Sequence, residues 1–197
     1  ADSELFTLRP YDLARVEVLK GPQGALFGRS ASGGVVNMVT ADPGQDWGGE
    51  LTLGLGNGLT LTADGAIDAP VSDKVQFLLS GSFRDTDGFI RNTFLDRKVD
   101  QFTSRNLRLK GRFSLSEATS LMLRASWADE SGGAAYISSG NVTGRYGGKL
   151  SGKALTNPFG DFPGHFSRDW WGLQATLESE FGNGMRLNWT GGYDNYD

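Results

Sequence analysis

The sequence predicts an all-β protein whose strands form part of a transmembrane antiparallel barrel, and three observations carry that prediction. Apolar and polar residues alternate with a period of two from Gly48 onward, which puts one face of each strand in an apolar medium and the other in a polar one. Several of these runs last about 10 residues, enough for a tilted strand to cross a bilayer, whereas strands of water-soluble domains centre on about 5 to 6. The connections between runs are by turns tight and long, the pattern of barrels with short periplasmic turns and long outer loops.

The first run carries Leu51, Leu53 and Leu55, and the second Leu59, Leu61, Ala63 and Ile67. Val75, Phe77, Leu79 and Phe83 make the third, with Leu78 as its one apolar residue on the polar side. The fourth is the cleanest: Leu107, Leu109, Phe113 and Leu115 interleave with Asn106, Arg108, Lys110, Arg112 and Ser114. Leu121 to Trp127, Trp171 to Phe181 and Met185 to Tyr193 complete seven runs. Tight turns are expected at Pro70 to Asp73, Ser116 to Thr119 and Gly182 to Gly184, and long loops from Asp85 to about Phe102 and from Glu130 to about Arg168. With the long loops outside, Phe83, Trp127, Trp171 and Tyr193 fall near the outer rim and Phe113 and Phe181 near the inner one, as interfacial aromatic girdles require. The polar side carries Arg108, Lys110, Arg112, Arg124, Glu178, Glu180 and Arg186. A soluble β-sandwich, with those charges in water, is the alternative that alternation alone leaves open.

Composition is consistent with either. A net charge of -4 with mixed signs argues against a nucleic-acid surface. The chain has no cysteine, which excludes disulfides and thiolate metal sites, and one histidine, His165, which excludes a histidine metal cluster. Mean hydropathy is -0.33, a value that a membrane barrel shares with soluble proteins because every second residue is polar. No enzyme or cofactor is implied.

Residues 1–47 read differently. Leu5, Phe6, Leu8 and Leu13 are irregularly spaced, and Pro10-Tyr11-Asp12 can start a turn or a short helix. A strand-like run from Arg15 to Leu19 then enters a loop holding Gly21, Pro22, Gly24, Gly28, Gly33 and Gly34, followed by a second strand-like run, Val35 to Thr40. Residues 41–47, ADPGQDW, have turn chemistry and read as a linker. GALFGRS is a poor phosphate loop, since three residues instead of four separate its glycines and Arg29 stands where a lysine is needed. Asp85-Thr86-Asp87-Gly88 resembles the start of a calcium loop with its glycine two positions too early.

The run RVEVLKGPQGALFGRSASGGVVNMVT, residues 15–40, resembles the closing segment of the plug domain of TonB-dependent outer-membrane receptors. The elements that carry the likeness are Arg15 to Val18, Lys20-Gly21-Pro22, Phe27-Gly28, Ala31 to Gly34 and Val35 to Asn37. The resemblance implies that residues 1–47 are the C-terminal part of a plug, mixed α/β in character, with its linker. Residues 48–197 would then be the first seven or so strands of a barrel that in such transporters has roughly 22. It implies residence in the bacterial outer membrane and plug-gated uptake of a scarce large solute, such as a ferric siderophore, vitamin complex or glycan. The implied partners are the TonB energy-coupling complex, the extracellular solute, outer-membrane lipid and the remaining barrel strands. It assigns plug-barrel ionic contacts to Arg15, Glu17 and Lys20, and the plug turn to Gly21, Pro22, Gly28, Gly33, Gly34 and Asn37. The long second loop carries Tyr136, Tyr146, Phe159 and Phe162, aromatic surface expected to touch the solute.

Overall fold

The computed structural model describes residues 11–22, 33–92, 94–133, 163–182 and 184–196. They form a two-stranded antiparallel ribbon, β1 (Leu13–Lys20) and β2 (Gly34–Thr40), and a seven-stranded antiparallel sheet. The sheet consists of β3 (Gly48–Gly56), β4 (Thr60–Ser72), β5 (Val75–Thr86), β8 (Phe102–Ser116), β9 (Thr119–Gly132), β10 (Phe166–Glu180) and β11 (Arg186–Tyr196). Two short strands, β6 (Arg91–Asn92) and β7 (Arg97–Lys98), pair with each other between β5 and β8. Within the large sheet every strand pairs with its neighbour in sequence, so it is a plain meander with open edges at β3 and β11. Among the described residues the only helical segment is one 3-10 turn, Asn57–Leu59, joining β3 to β4. Where the sequence allowed a short helix, Tyr11 and Asp12 instead form a bend, and the strand begins at Leu13.

The strands are long, β8 and β10 having 15 residues each. The tight turns at 116–119 and 182–184 fall where the composition puts them, but the one expected at Pro70 to Asp73 is at Asp73-Lys74, because Pro70 stays in β4 opposite Gln76. Register carries the alternation across the whole sheet. Ile67, Leu79, Leu109, Ala125, Leu173 and Tyr193 are successive partners in one row. The next row in the same direction, Asp68, Leu78, Lys110, Arg124, Gln174 and Gly192, points to the other side. Odd-numbered leucines are exposed, Leu55 by 89% and Leu51 by 71%, while on β5 the even-numbered Gln76, Leu78, Ser80 and Ser82 are buried. A water-soluble sheet would bury its leucine face. Here that face is bare, while the polar face is covered at the centre of the sheet, on β5 and the middle of β8, an arrangement stable only where the bare face meets lipid.

The apolar band on β8 runs from Leu107 to Leu115, about 26 Å along the strand and about 20 Å across a membrane at a tilt of about 40°. It ends at charged side chains: Arg105 pairs with Asp129 at 3.1 Å on the same outward face. Aromatic residues mark both borders. Trp127 and Trp171 are register partners, and Trp171 lies 5.4 Å from Tyr193 between ring centres. Towards the tight turns Phe77 meets Phe113 edge-on at 5.8 Å.

The connection from β5 to β8 is an ordered structure. The Asp100 carboxylate accepts the backbone N–H groups of Phe89 and Ile90 at 2.7–2.9 Å. Fully buried Asn92 accepts those of Phe94 and Leu95 at 2.9 and 3.1 Å. Asp85, the first residue of the calcium-like motif, accepts from the Thr103 hydroxyl at 2.7 Å instead.

Candidate functional site: the ribbon against the inner wall

Among the described residues, the hydrogen bonds and ion pairs between the ribbon and the polar face of the sheet lie where β1 begins and β2 stops. Ala41 N–H donates to the Asp12 carbonyl at 2.7 Å, extending the β1–β2 ladder and fixing Asp12 beside residues 40–42. The Asp12 side chain, 2% exposed, takes Arg108 Nη1 on both oxygens at 2.6 and 2.7 Å and the Ser80 hydroxyl at 2.9 Å. The Tyr11 ring sits beneath the same guanidinium, 5.2 Å from its centre, a cation–π contact that shields the pair from water. Burial of Tyr11 holds its phenol above the ordinary range, against the opposing effect of Arg108.

Lys110 is the second anchor. Its side chain, 1% exposed, donates to the Thr40 hydroxyl at 2.7 Å and to the Ala41 carbonyl, and stands 3.6 Å from Asp42. Arg112, two residues along the same face, reaches Asp42 at 2.8 Å. Past the ribbon, Gly44 N–H donates to Asp68 on β4 at 2.6 Å. Three consecutive inward residues of β8 thus hold the chain on both sides of the ribbon, because the strand's period of two aims Arg108, Lys110 and Arg112 in one direction. Removing one partner from a buried pair of this kind leaves an uncompensated charge, which is far more costly than the pair's own net contribution.

Of the residues singled out in the sequence, Arg15 and Glu17 bond to each other at 2.6 Å, and Asn37, the register partner of Glu17, donates to it at 2.9 Å. The Arg15 and Asn37 hydrogen bonds, in that order, hold the Glu17 carboxyl below its usual range. Lys20 closes the far end of the ribbon opposite Gly34. Gly21 has φ +88°, and Gly34 has φ +140° with the Leu19 carbonyl oxygen 2.6 Å from where a β-carbon would stand. Both positions therefore need glycine. Pro22 and Gly33 flank the loop, while Gly28, Tyr136, Tyr146, Phe159 and Phe162 lie outside the described residues.

Asp12, Asp42 and Ser80, which complete the junction, were not singled out from the sequence, whereas Arg108, Lys110 and Arg112 were, as charges of the polar side. A signal existed: one acid just before β1 and another just after β2 stand together at the open end of the ribbon, and a strand with three basic residues at alternate positions faces them.

A ribbon fixed to the polar face of a lipid-facing sheet by a buried ion pair and a buried lysine defines a class of protein, an outer-membrane barrel with internal packing. Residues 1–35 match the TonB-dependent receptor plug domain. The chain is 34% identical over 145 residues to the ferrioxamine receptor of Yersinia enterocolitica, covering 72% of this chain and 19% of that one. It is 35% identical over 77 residues to the vitamin B12 transporter BtuB of Vibrio vulnificus, covering 39% of this chain and 13% of that one. Among solved structures, the ferric yersiniabactin uptake receptor FyuA of Yersinia pestis matches with a TM-score of 0.74 at 18% identity, over 94% of this chain and 28% of that one. The FpvAI–pyocin S2 complex matches with a TM-score of 0.74 at 20% identity, over 93% of this chain and 24% of that one.

The chain belongs to the TonB-dependent receptors of the outer membrane. The relatives are receptors and transporters rather than enzymes. The chain spans under a third of the length of each protein compared.

Proposed function

We propose that this chain is the plug-to-wall junction of an outer-membrane receptor that takes up a scarce large solute. In this reading residues 1–47 are the C-terminal part of the plug with its linker, and residues 48–197 are about seven barrel strands. Seven strands cannot enclose a plug, so the wall is completed by strands beyond these 197 residues. The solute is a ferric siderophore or a vitamin complex, as the names of the relatives suggest. Uptake is energised by the inner-membrane TonB complex acting on the plug.

The observation that carries the proposal is the Asp12–Arg108 pair with Lys110 clamped on Thr40 and Ala41. Such a junction keeps the end of the plug on the wall while the rest rearranges to open a path. Arg15, Glu17 and Lys20 would add ionic contacts to wall strands outside this chain. Tyr136, Tyr146, Phe159 and Phe162 would line the solute's approach from outside.

The test is uptake of labelled ferrioxamine and vitamin B12 by cells whose only receptor for them is the full-length protein. Accumulation of one solute that a protonophore abolishes supports the proposal. Entry of neither solute, or entry indifferent to the protonophore, contradicts it.

A further inference from the structure

Glycine is a poor residue for the middle of a lipid-facing strand, because it loosens the backbone and supplies no side chain to pack. Gly65 on β4 and Gly81 on β5 nevertheless stand there as register partners, both on the outward face. Neither has a positive φ. A β-carbon at Gly81 would stand 3.3 Å from the Asn106 carbonyl oxygen and 3.5 Å from Leu107, so a small side chain fits with a slight shift. Strand glycines that the backbone does not require often mark a place where another group lies against the sheet.

The two glycines floor a hollow of about 440 Å³ in the outward face. Leu51 and Leu107, their neighbours in the same register row, wall it on two sides. Phe83 bounds it towards the long connections and Leu79 towards the tight turns. Water would find few polar partners in it, and an empty hollow would forfeit dispersion contacts. At its upper lip stands Arg105, the register partner of Phe83 and the next outward residue of β8 beyond Leu107. The Arg105 side chain is 56% exposed and gives Nη1 to Asp129, which leaves the other donors of the guanidinium for a second acceptor. An apolar hollow beneath a cation at the edge of the hydrocarbon fits an amphiphile in one orientation, with its chain towards the membrane centre and its anion at the border.

We propose that this hollow is a fixed lipid site, in which one acyl chain lies on Gly65 and Gly81 and the phosphate of the same lipid meets Arg105. It lies on the face opposite the plug junction and does not depend on which solute is carried.

The experiment titrates the full-length receptor, stripped of lipid in detergent, with phosphatidylglycerol and follows bound lipid by native mass spectrometry. One lipid should be retained. Gly81→Leu, which fills the hollow, should lose it, with Gly81→Ala intermediate. Arg105→Gln should weaken retention about fivefold, the effect of one arginine near a lipid surface, and should not change retention of diacylglycerol, which has no phosphate. That variant leaves the hollow intact, so it decides the matter if Gly81→Leu does not fold. No retained lipid in the parent, retention indifferent to Gly81→Leu, or retention indifferent to Arg105→Gln overturns the proposal. A receptor dimer that Gly81→Leu dissociates also overturns it, since the occupant would then be a second copy. None of these readouts needs transport, so failure here and failure of the uptake reading are separable.

Discussion

The two faces of β8 occupy opposite solvents although their residues alternate one by one. Leu107, Leu109, Phe113 and Leu115 face outward, and Leu107 and Leu109 are 48% and 44% exposed. Arg108 and Lys110 face inward and are held by Asp12, Thr40 and Ala41. The rules of a soluble core are inverted, because the costly event on the inner face is losing a partner and on the outer face it is gaining a charge. A single β8 therefore tests both halves of the account in one protein.

The largest effect should come from Asp12→Ala in the full-length receptor, which leaves the largely covered Arg108 guanidinium over the Tyr11 ring with no acid. The expected loss is about 3–5 kcal/mol from the ribbon-to-wall junction, read as a lower urea midpoint for plug release and as leak of small antibiotics. Unchanged values would mean the pair is not a constraint on the plug. Next comes Leu109→Arg on the outward side of the same strand, expected to cost about 2–4 kcal/mol near the bilayer midplane. Equilibrium folding into phospholipid vesicles would measure it, and a neutral result would place that face in water.

Gly34→Ala should be smaller and local. The strained φ and the clash with the Leu19 carbonyl predict about 1–3 kcal/mol, seen as faster amide exchange in β1 and β2 and none in β8. The smallest effect is a pH dependence of the ribbon. Glu17 has its carboxyl pKa depressed by Arg15 and Asn37, so its contribution is present above the unfolded carboxylate pKa and is lost as pH falls through the lower folded value. Amide protection in the ribbon should decline on acidification in the native protein, and Glu17→Gln should flatten that decline. An identical acid profile in the variant would assign the effect to other carboxylates.

The wall was legible in the sequence because a period of two is written in single residues, and a tight turn such as Glu117-Ala118 needs only local chemistry. Leu78 shows the limit. It broke the pattern on paper, and in the structure it is buried at 2% as the register partner of Lys110 on the inner face. The ribbon was legible from its glycines, but its attachment was not. Asp12 and Asp42 stand in bend and coil, where nothing local distinguishes an acid in water from one under a guanidinium 96 residues away. The long connection from β5 to β8 hid its order for the same reason, since Asn92 and Asp100 act by capping backbone amides rather than by any period.

The central claim is the inversion of faces, and the absence of cysteine in this chain makes it directly testable. Nitroxide labels placed one at a time at positions 105–115 of the full-length receptor in bilayers would report collisions with oxygen and with a water-soluble nickel chelate. A period of two is expected from 107 to 115, with odd positions open to oxygen and even positions shielded from both reagents. Lipid exposure at 108 and 110, or no period at all, would contradict it.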